Sequence, residues 1–482
     1  MHILFVGAGP STTTVLVNFL QEIRNRRLLV SNLQITIVEA KSRLGPGLAY
    51  NSCEPYHLFN SRANQVGILN GDRKHFFKWI MQNKQKWKPF FPNYDDRFIR
   101  SYSFVPRGIY GIYLEEFFTT SLEGLKENGV TVNTVTGRAT EGLQLGKKGY
   151  VKIKRSDNVD MTLQADKVVL GIGNPPPTPI KNLKDNPKYI HNFWPTDSWH
   201  IPRDAPVAII GVGLTGMDAI LTMQARGHKG PITLISRHGQ KARIHGPVLP
   251  LYKREIFTLN NVKKLNPPTA EAYFSMLSQE IAAAKEKGYN WRCVIDSLRE
   301  NSQTYLQSGP LSKQVGFKTF WKLLSNDEKI YWNKKYDSQF NTLRFRLPPE
   351  SWERIEPLFT SGQAKIIQAD ITDNSFKAQP DTYYINCTGP DLEQNQFVKS
   401  LFAKGICQRH PAGGLSADQN MYLIGSNKKP SQIFSAIGPV RKGEDFETVA
   451  MVEIVDQTLP LINSLIKELE EEKTSTNITS RL

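Results

Sequence analysis

Residues 207–216 read VAIIGVGLTG: four apolar residues run directly into the spacing G-x-G-x-x-G, completed by Gly211, Gly213 and Gly216. A short buried strand that ends in glycines and opens a helix is the fingerprint of a dinucleotide-binding turn. The first glycine makes the tight turn and the second lets backbone approach a pyrophosphate. The third lets the helix pack closely on the strand, with the phosphates at the helix N-terminus. Leu214–Arg226 has helix-like spacing and ITLISR, residues 232–237, is the next strand, so the unit is strand–helix–strand. An acid after that second strand would repel a 2′-phosphate, but this chain has Ser236-Arg237-His238. Arg237 pairs well with a phosphate, which selects NADP(H) over NAD(H), although arginine at a strand end is also commonly just exposed.

The same pattern opens the chain. HILFV, residues 2–6, leads into Gly7-Ala8-Gly9-Pro10-Ser11-Thr12, and Ser11–Ile23 follows with helical spacing. Thr12 occupies the third glycine position, which is expected to loosen helix–strand packing. The second strand, Leu33–Glu39, ends on an acid placed to accept hydrogen bonds from a ribose. Glu39 lies further from Gly9 than the usual 20 or so residues, a surplus assigned to the basic loop NRRLLVSN, residues 25–32. Two dinucleotide turns, the first followed by an antiparallel meander (VTVNTV, YVKIKR, KVVLGIG) and a C-terminal return, predict a two-unit α/β flavoprotein binding FAD first and NADPH second.

The 482 residues are ample for two doubly wound dinucleotide-binding units. The expected FAD unit comprises 1–195 plus 391–482, and the NADP(H) unit 196–390. A helical insertion rich in Trp, Lys and Arg is expected at about 266–350. The breaker cluster Asn174-Pro175-Pro176-Pro177 marks a boundary. From Leu461 the tail reads as an amphipathic helix fading into a frayed end. Sixty-one Lys and Arg against 45 Asp and Glu give a formal charge of +16, favouring anionic partners. The basic aromatic run WNKKYDSQFNTLRFR also raises nucleic-acid binding, but no recognised module accompanies it and basic runs are usually solvated faces. No apolar run approaches a membrane span and no signal peptide opens the chain, so a cytoplasmic protein is expected. Cys53, Cys293, Cys387 and Cys407 form no C-x-x-C pair. They are read as buried thiols, which removes dithiol flavin reductases; no metal site is written in the sequence.

Taken together, GAGPSTT, GPGLAYNSCEPYHLFNSRANQ, FVPRGIYGIYL, VVLGIGNPPP, IIGVGLTGMDAIL, LISRHG, NTLRFRLPP, INCTGP and IGPVRKGEDFET span residues 7–448. The chain resembles the largely uncharacterised FAD/NAD(P)-binding flavoprotein family related to flavin-dependent amine N-monooxygenases. That resemblance implies that Asn60 and its neighbours lie along the flavin, with Gly45 and Gly47 shaping the loop before them. A turn residue bonding its own backbone is the other reading of Asn60. It also implies a late backbone approach at Gly438, with Gly425 a competing candidate. Arg107, Arg344 and Arg346 fall in the resembling segments, and arginine suits a substrate carboxylate. The alternation Arg344-Phe345-Arg346 equally fits a solvated face. His238 and His245 invite acid–base work near a nicotinamide, or simply local hydrogen bonds.

The implied function is an NADPH-dependent FAD oxidoreductase. The leading form is a monooxygenase passing one atom of molecular oxygen from a C4a-hydroperoxyflavin to an amine or small amino-acid-like substrate, which can carry an anionic group. Alternatives are a reductase or dehydrogenase with another acceptor, and a flavin-binding redox sensor.

Overall fold

The computed structural model describes residues 1–51, 54–155, 157, 159–250, 252–298, 315–371 and 376–479, with side chains to 471. Its fold is α/β, built on two Rossmann-type sheets. In chain order the strands are β1 (His2–Val6), β2 (Gln34–Glu39), β3 (Thr131–Leu145), β4 (Lys148–Arg155), β5 (Asp160–Ala165), β6 (Lys167–Leu170), β7 (Tyr189–Ile190) and β8 (Val207–Ile210). There follow β9 (Ile232–Ser236), β10 (Arg243–Ile244), β11 (Arg346–Leu347), β12 (Ala364–Gln368), β13 (Tyr383–Asn386), β14 (Tyr422–Ile424) and β15 (Pro430–Ala436).

The first sheet has eight strands in the order β14-β15-β6-β1-β2-β3-β4-β5. β1 is parallel to both β2 and β6, and it is buried from Ile3 to Val6, as a central parallel strand must be. β3 serves two partners in succession: Thr131–Thr136 pairs parallel with β2, and Gly137–Leu145 pairs antiparallel with β4 to start the meander. The second sheet is β12-β9-β8-β13-β7, with every pair parallel. Its edge strand at Tyr189–Ile190 precedes residue 196, the expected start of the second unit. In each sheet the glycine turn leaves a strand flanked on both sides, β1 by β2 and β6, β8 by β9 and β13. This is the switch point where open α/β sheets bind ligands.

Helix α1 (Pro10–Asn25) is buried continuously from Ser11 to Leu20. It packs in one core with α2 (Arg107–Glu127) through Tyr110 and Tyr113, and with the last helix through Leu465 and Ile466. Helix α3 (Leu214–Ala225) follows the second fingerprint. The last helix, α4, runs from Met451 to Thr479 with Pro460 inside it. It therefore starts ten residues before the amphipathic stretch read from the sequence. The reading began at Leu461 because proline is favoured at a helix start and disfavoured within.

Among the described residues, six helices between Leu259 and Arg344 enclose a separate core of Phe257, Tyr273, Phe317, Phe320, Trp321, Trp332 and Phe340, to which Phe446 also contributes. Thr269 and Ser325 cap two of them by accepting hydrogen bonds from Ala272 N and Glu328 N. Trp332 and Phe340, aromatics of the basic run, are thus core residues. Cys293, Cys387 and Cys407 are free and buried, whereas Cys53 lies outside the described residues. Among the described residues no helix is long and apolar enough to cross a membrane.

Candidate functional site

At the first turn Gly7 sits at φ +98, and a Cβ there would lie 2.5 Å from Gly171 O. Gly9 caps α1 in extended conformation with no side chain satisfying the first-turn N–H groups. A Cβ built on Gly9 would meet only Gly47 Cα, at 3.5 Å, so two glycines leave bare backbone before the helix N-terminus. Glu39 ends β2 as expected: its Oε2 accepts from Ala8 N at 2.9 Å and its Oε1 from Lys41 N at 3.1 Å. Ser11 meets the chain's late return, because a Cβ on Gly438 would lie 2.4 Å from Ser11 Oγ. Gly438 N donates to Gln457 Oε1 at 2.7 Å, and the buried Gln457 Nε2 has no partner among the described residues. Gly425, by contrast, packs on Gly405. An open helix N-terminus, a strand-end acid and an orphaned amide donor together fit the anionic and hydroxylated body of a dinucleotide.

Thr12 does not simply loosen the packing. Its hydroxyl donates to Gly7 O at 2.6 Å, and room for it comes from the neighbouring strand end, where a Cβ on Gly171 would lie 2.3 Å from Thr12 Oγ1.

The second turn is more regular. Gly211 has φ +106 and packs on Cys387 O, and a Cβ on Gly216 would lie 2.1 Å from Gly211 O. Before Gly213 there is nothing within 4 Å. Arg237 is exposed immediately after β9, as is His238.

Two cavities meet at Tyr50, Phe59 and Asn60. Tyr50 and Phe59 stack at 5.3 Å, and burial pushes the Tyr50 hydroxyl up to about 12. One cavity, about 130 Å³, reaches Leu214 and Thr215 at the start of α3 and includes Arg107 and Asp218. The other, about 120 Å³, reaches Gln65, Arg73, Arg344, Glu447 and Glu453. Asn60 is held through its backbone carbonyl, 3.0 Å from His245 Nε2, so His245 makes a local hydrogen bond to the loop that carries Asn60.

The three arginines are all engaged. Arg107, first residue of α2, pairs with Asp218 of α3. Arg344 pairs with Glu447 at 3.0 Å beneath Phe345 and Phe446, and Arg346 pairs with Asp296 beside Trp291. Arg344 and Arg346 are only 5% and 3% exposed, so they are not a solvated face. Arg107 and Arg344 line the two cavities; Arg346 lines neither.

Sequence reasoning missed Tyr50, Glu447 and Glu453. Glu453 is buried in the first turns of α4, and burial followed by the neighbouring Glu447 carboxyl raises its pKa well above the usual carboxylate range. The available signal was an acid set among apolar residues in MVEIV, residues 451–455.

Comparison with known proteins agrees with this geometry. Residues 4–175 match the family described as FAD-NAD(P)-binding and form a domain of that kind. An uncharacterised protein of Mycobacterium tuberculosis strain H37Rv is 22% identical over 338 residues, 61% of this chain; the match spans 62% of the relative's length. Among solved structures, the reduced ornithine hydroxylase of Pseudomonas aeruginosa superposes with TM-score 0.59 at 10% identity, covering 97% of this chain and 99% of that one. The Kutzneria sp. 744 ornithine N-hydroxylase with reduced FAD, NADP+ and L-ornithine gives 0.56 at 12%, with the same coverage. L-lysine 6-monooxygenase of Pseudomonas syringae gives 0.54 at 10%, covering 96% of this chain and 99% of that one. At these identities the likeness establishes a shared two-domain FAD/NADP Rossmann-type fold.

Proposed function

We propose that this chain is an NADPH-dependent FAD monooxygenase acting on the nitrogen of an amine or small amino-acid-like substrate. The observation that carries the reading is the pair of cavities meeting at Tyr50, Phe59 and Asn60. One extends toward the helix that follows the second fingerprint; the other ends at Glu447, the buried Glu453 and two arginines, Arg73 and Arg344. In this reading FAD lies from Glu39 across Gly7, Gly9, Ser11 and Thr12, passes Gly438, and ends along Asn60. NADPH rests on Gly211, Gly213 and Gly216 with its 2′-phosphate at Arg237. The names of the superposed amine monooxygenases support the choice of reaction.

When bound, FAD supplies a hydride acceptor and the activation of oxygen, so the protein's task is positioning and exclusion of water. Asn60, its carbonyl fixed by His245, offers an amide donor and acceptor to a flat heterocycle. Tyr50 and Phe59 provide the apolar wall between the cavities. Arg107 is placed by Asp218 to tie the flavin loop to α3, and its cavity exposure leaves it a possible contact for an anionic substrate group. Arg344 is the further candidate for such a group, and Arg346 would act only through its neighbours.

The test is NADPH oxidation by the purified flavoprotein under ¹⁸O₂ with L-ornithine, L-lysine and cadaverine. Incorporation of one ¹⁸O into the amine is the expected result. Fast NADPH oxidation without oxygen, passing electrons to another acceptor, would replace this reading with a reductase.

A further inference from the structure

The cavity ending at α4 holds one feature that cofactor binding does not use. Glu453 is 93% buried by its 7% exposure, lines the cavity, and its Oε2 has no hydrogen-bond partner among the described residues. Its neighbour Glu447 is already neutralised by Arg344 at 3.0 Å. Glu447 acts on Glu453 through its charge and a side-chain hydrogen bond, and Arg344, Arg73 and Tyr50 act on it through space, Arg73 also facing Asp456. An unsatisfied buried carboxyl oxygen on a residue that lines a small aromatic-walled cavity is costly unless a donor reaches it.

We infer that Glu453 is the residue that recognises the ammonium group of the substrate, and that binding of the cation is coupled to release of a proton from its carboxyl. This rests on the proposed placement of flavin beside Asn60, which makes the cavity a substrate site. The charge count fixes the stoichiometry. Arg344 is paired with Glu447 and Arg73 with the nearby charge of Asp456, so an entering R–NH₃⁺ is compensated when Glu453–COOH loses its proton to solvent and forms COO⁻···H₃N⁺–R. Within that pair one N–H bond then breaks as an O–H bond forms on Glu453. The bound ligand becomes a neutral amine with a free lone pair, the form in which nitrogen is nucleophilic. Burial and the adjacent Glu447 raise the pKa of the free-state carboxyl and so favour its protonated form before the amine enters.

Calorimetric titration of the FAD-loaded protein tests this, using cadaverine and L-ornithine as cationic probes, 1,5-pentanediol as a neutral one and glutarate as an anionic one. Runs in two buffers of different ionisation heat count the protons. The expected result is binding of the amines with about one proton released, and affinity rising about tenfold per pH unit below the Glu453 pKa. Glu453→Gln, which keeps the shape of the protonated acid, should retain FAD, lose the proton release and bind amines at least about tenfold more weakly. Unchanged amine affinity and proton count in Glu453→Gln, no amine binding, or preference for glutarate would each overturn the inference. If the variant fails to fold, the wild-type proton count decides alone. Proton-coupled amine binding without ¹⁸O incorporation would sink the monooxygenase reading and leave this one standing. Amine hydroxylation by Glu453→Gln at wild-type KM would do the reverse.

Discussion

The guanidinium of Arg107 and the carboxylate of Asp218 face each other with Nη2 at 2.6 and 2.5 Å from the two carboxylate oxygens, joining the start of α2 to the middle of α3. Arg107 Nε also donates to Leu58 O at 3.1 Å, and His57 Nε2 lies 3.0 Å from Thr222 Oγ1. The loop carrying Phe59 and Asn60 is therefore anchored to the helix that follows the second fingerprint. Removing one member of a buried pair strands the other charge. Asp218→Ala should therefore cost about 3 kcal/mol, the low end for a buried pair because Arg107 is 16% exposed. Urea unfolding measures it; a loss under 1 kcal/mol would show that the pair does not hold the two units together.

A Cβ on Gly9 would rest in ordinary contact with Gly47 Cα at 3.5 Å. Gly9→Ala should fold and keep part of its yellow colour, whereas Gly9→Val should fold and lose FAD, because its branches fill the gap toward Gly47 where a pyrophosphate would lie. Absorbance at the flavin bands against total protein gives the ratio. Equal FAD retention by both variants would move the pyrophosphate elsewhere.

Arg237 is exposed and follows β9 directly, where the proposed adenosine ribose ends. A charge-assisted contact contributes roughly 1.5 to 3 kcal/mol, so Arg237→Ala should weaken NADPH about 10- to 100-fold in kcat/KM for flavin reduction. NADH, without the 2′-phosphate, should change little. An equal loss with both nucleotides would assign Arg237 a structural role.

Glu453 gives stability a pH slope of known sign. Its folded pKa is raised, so between the ordinary carboxyl value of 4.5 and that raised value the unfolded chain has released a proton the folded chain still holds. Stability from this group is full below 4.5 and falls as pH rises through the window. Glu453→Gln removes the slope, so the Tm of the variant should gain on wild type as pH increases. A constant Tm difference from pH 5 to 9 would show that Glu453 is ionised in the fold.

The second fingerprint was fully legible because its glycines follow one another at fixed short spacing: Gly213 faces open space, and the other two clear backbone. Gly216 clears Gly211, and Gly211 clears Cys387. Glu39 was equally plain, being fixed by its strand end. The acids were not. Glu453 reads in the sequence as one polar position on an amphipathic helix, and the charges around it come from Glu447 and from Arg344, more than a hundred residues away. Arg344 misled for the same reason: the alternation with Phe345 suggests a surface strand, but aromatic faces and Glu447 bring the guanidinium inside.

The Thr12 hydroxyl and the bare Cα of Gly171 behave as a single packing element divided between α1 and the end of β6. The three atoms nearest a Cβ on Gly171 all belong to Thr12. The closest constraint on a side chain at 171 is thus what stands at 12, and the two should covary among homologous chains, glycine at one permitting alanine at the other. A chimera importing the opposing strand alone, with alanine at 171, would clash with the threonine. One importing both segments would close without strain, so recombination between relatives has to carry these positions together.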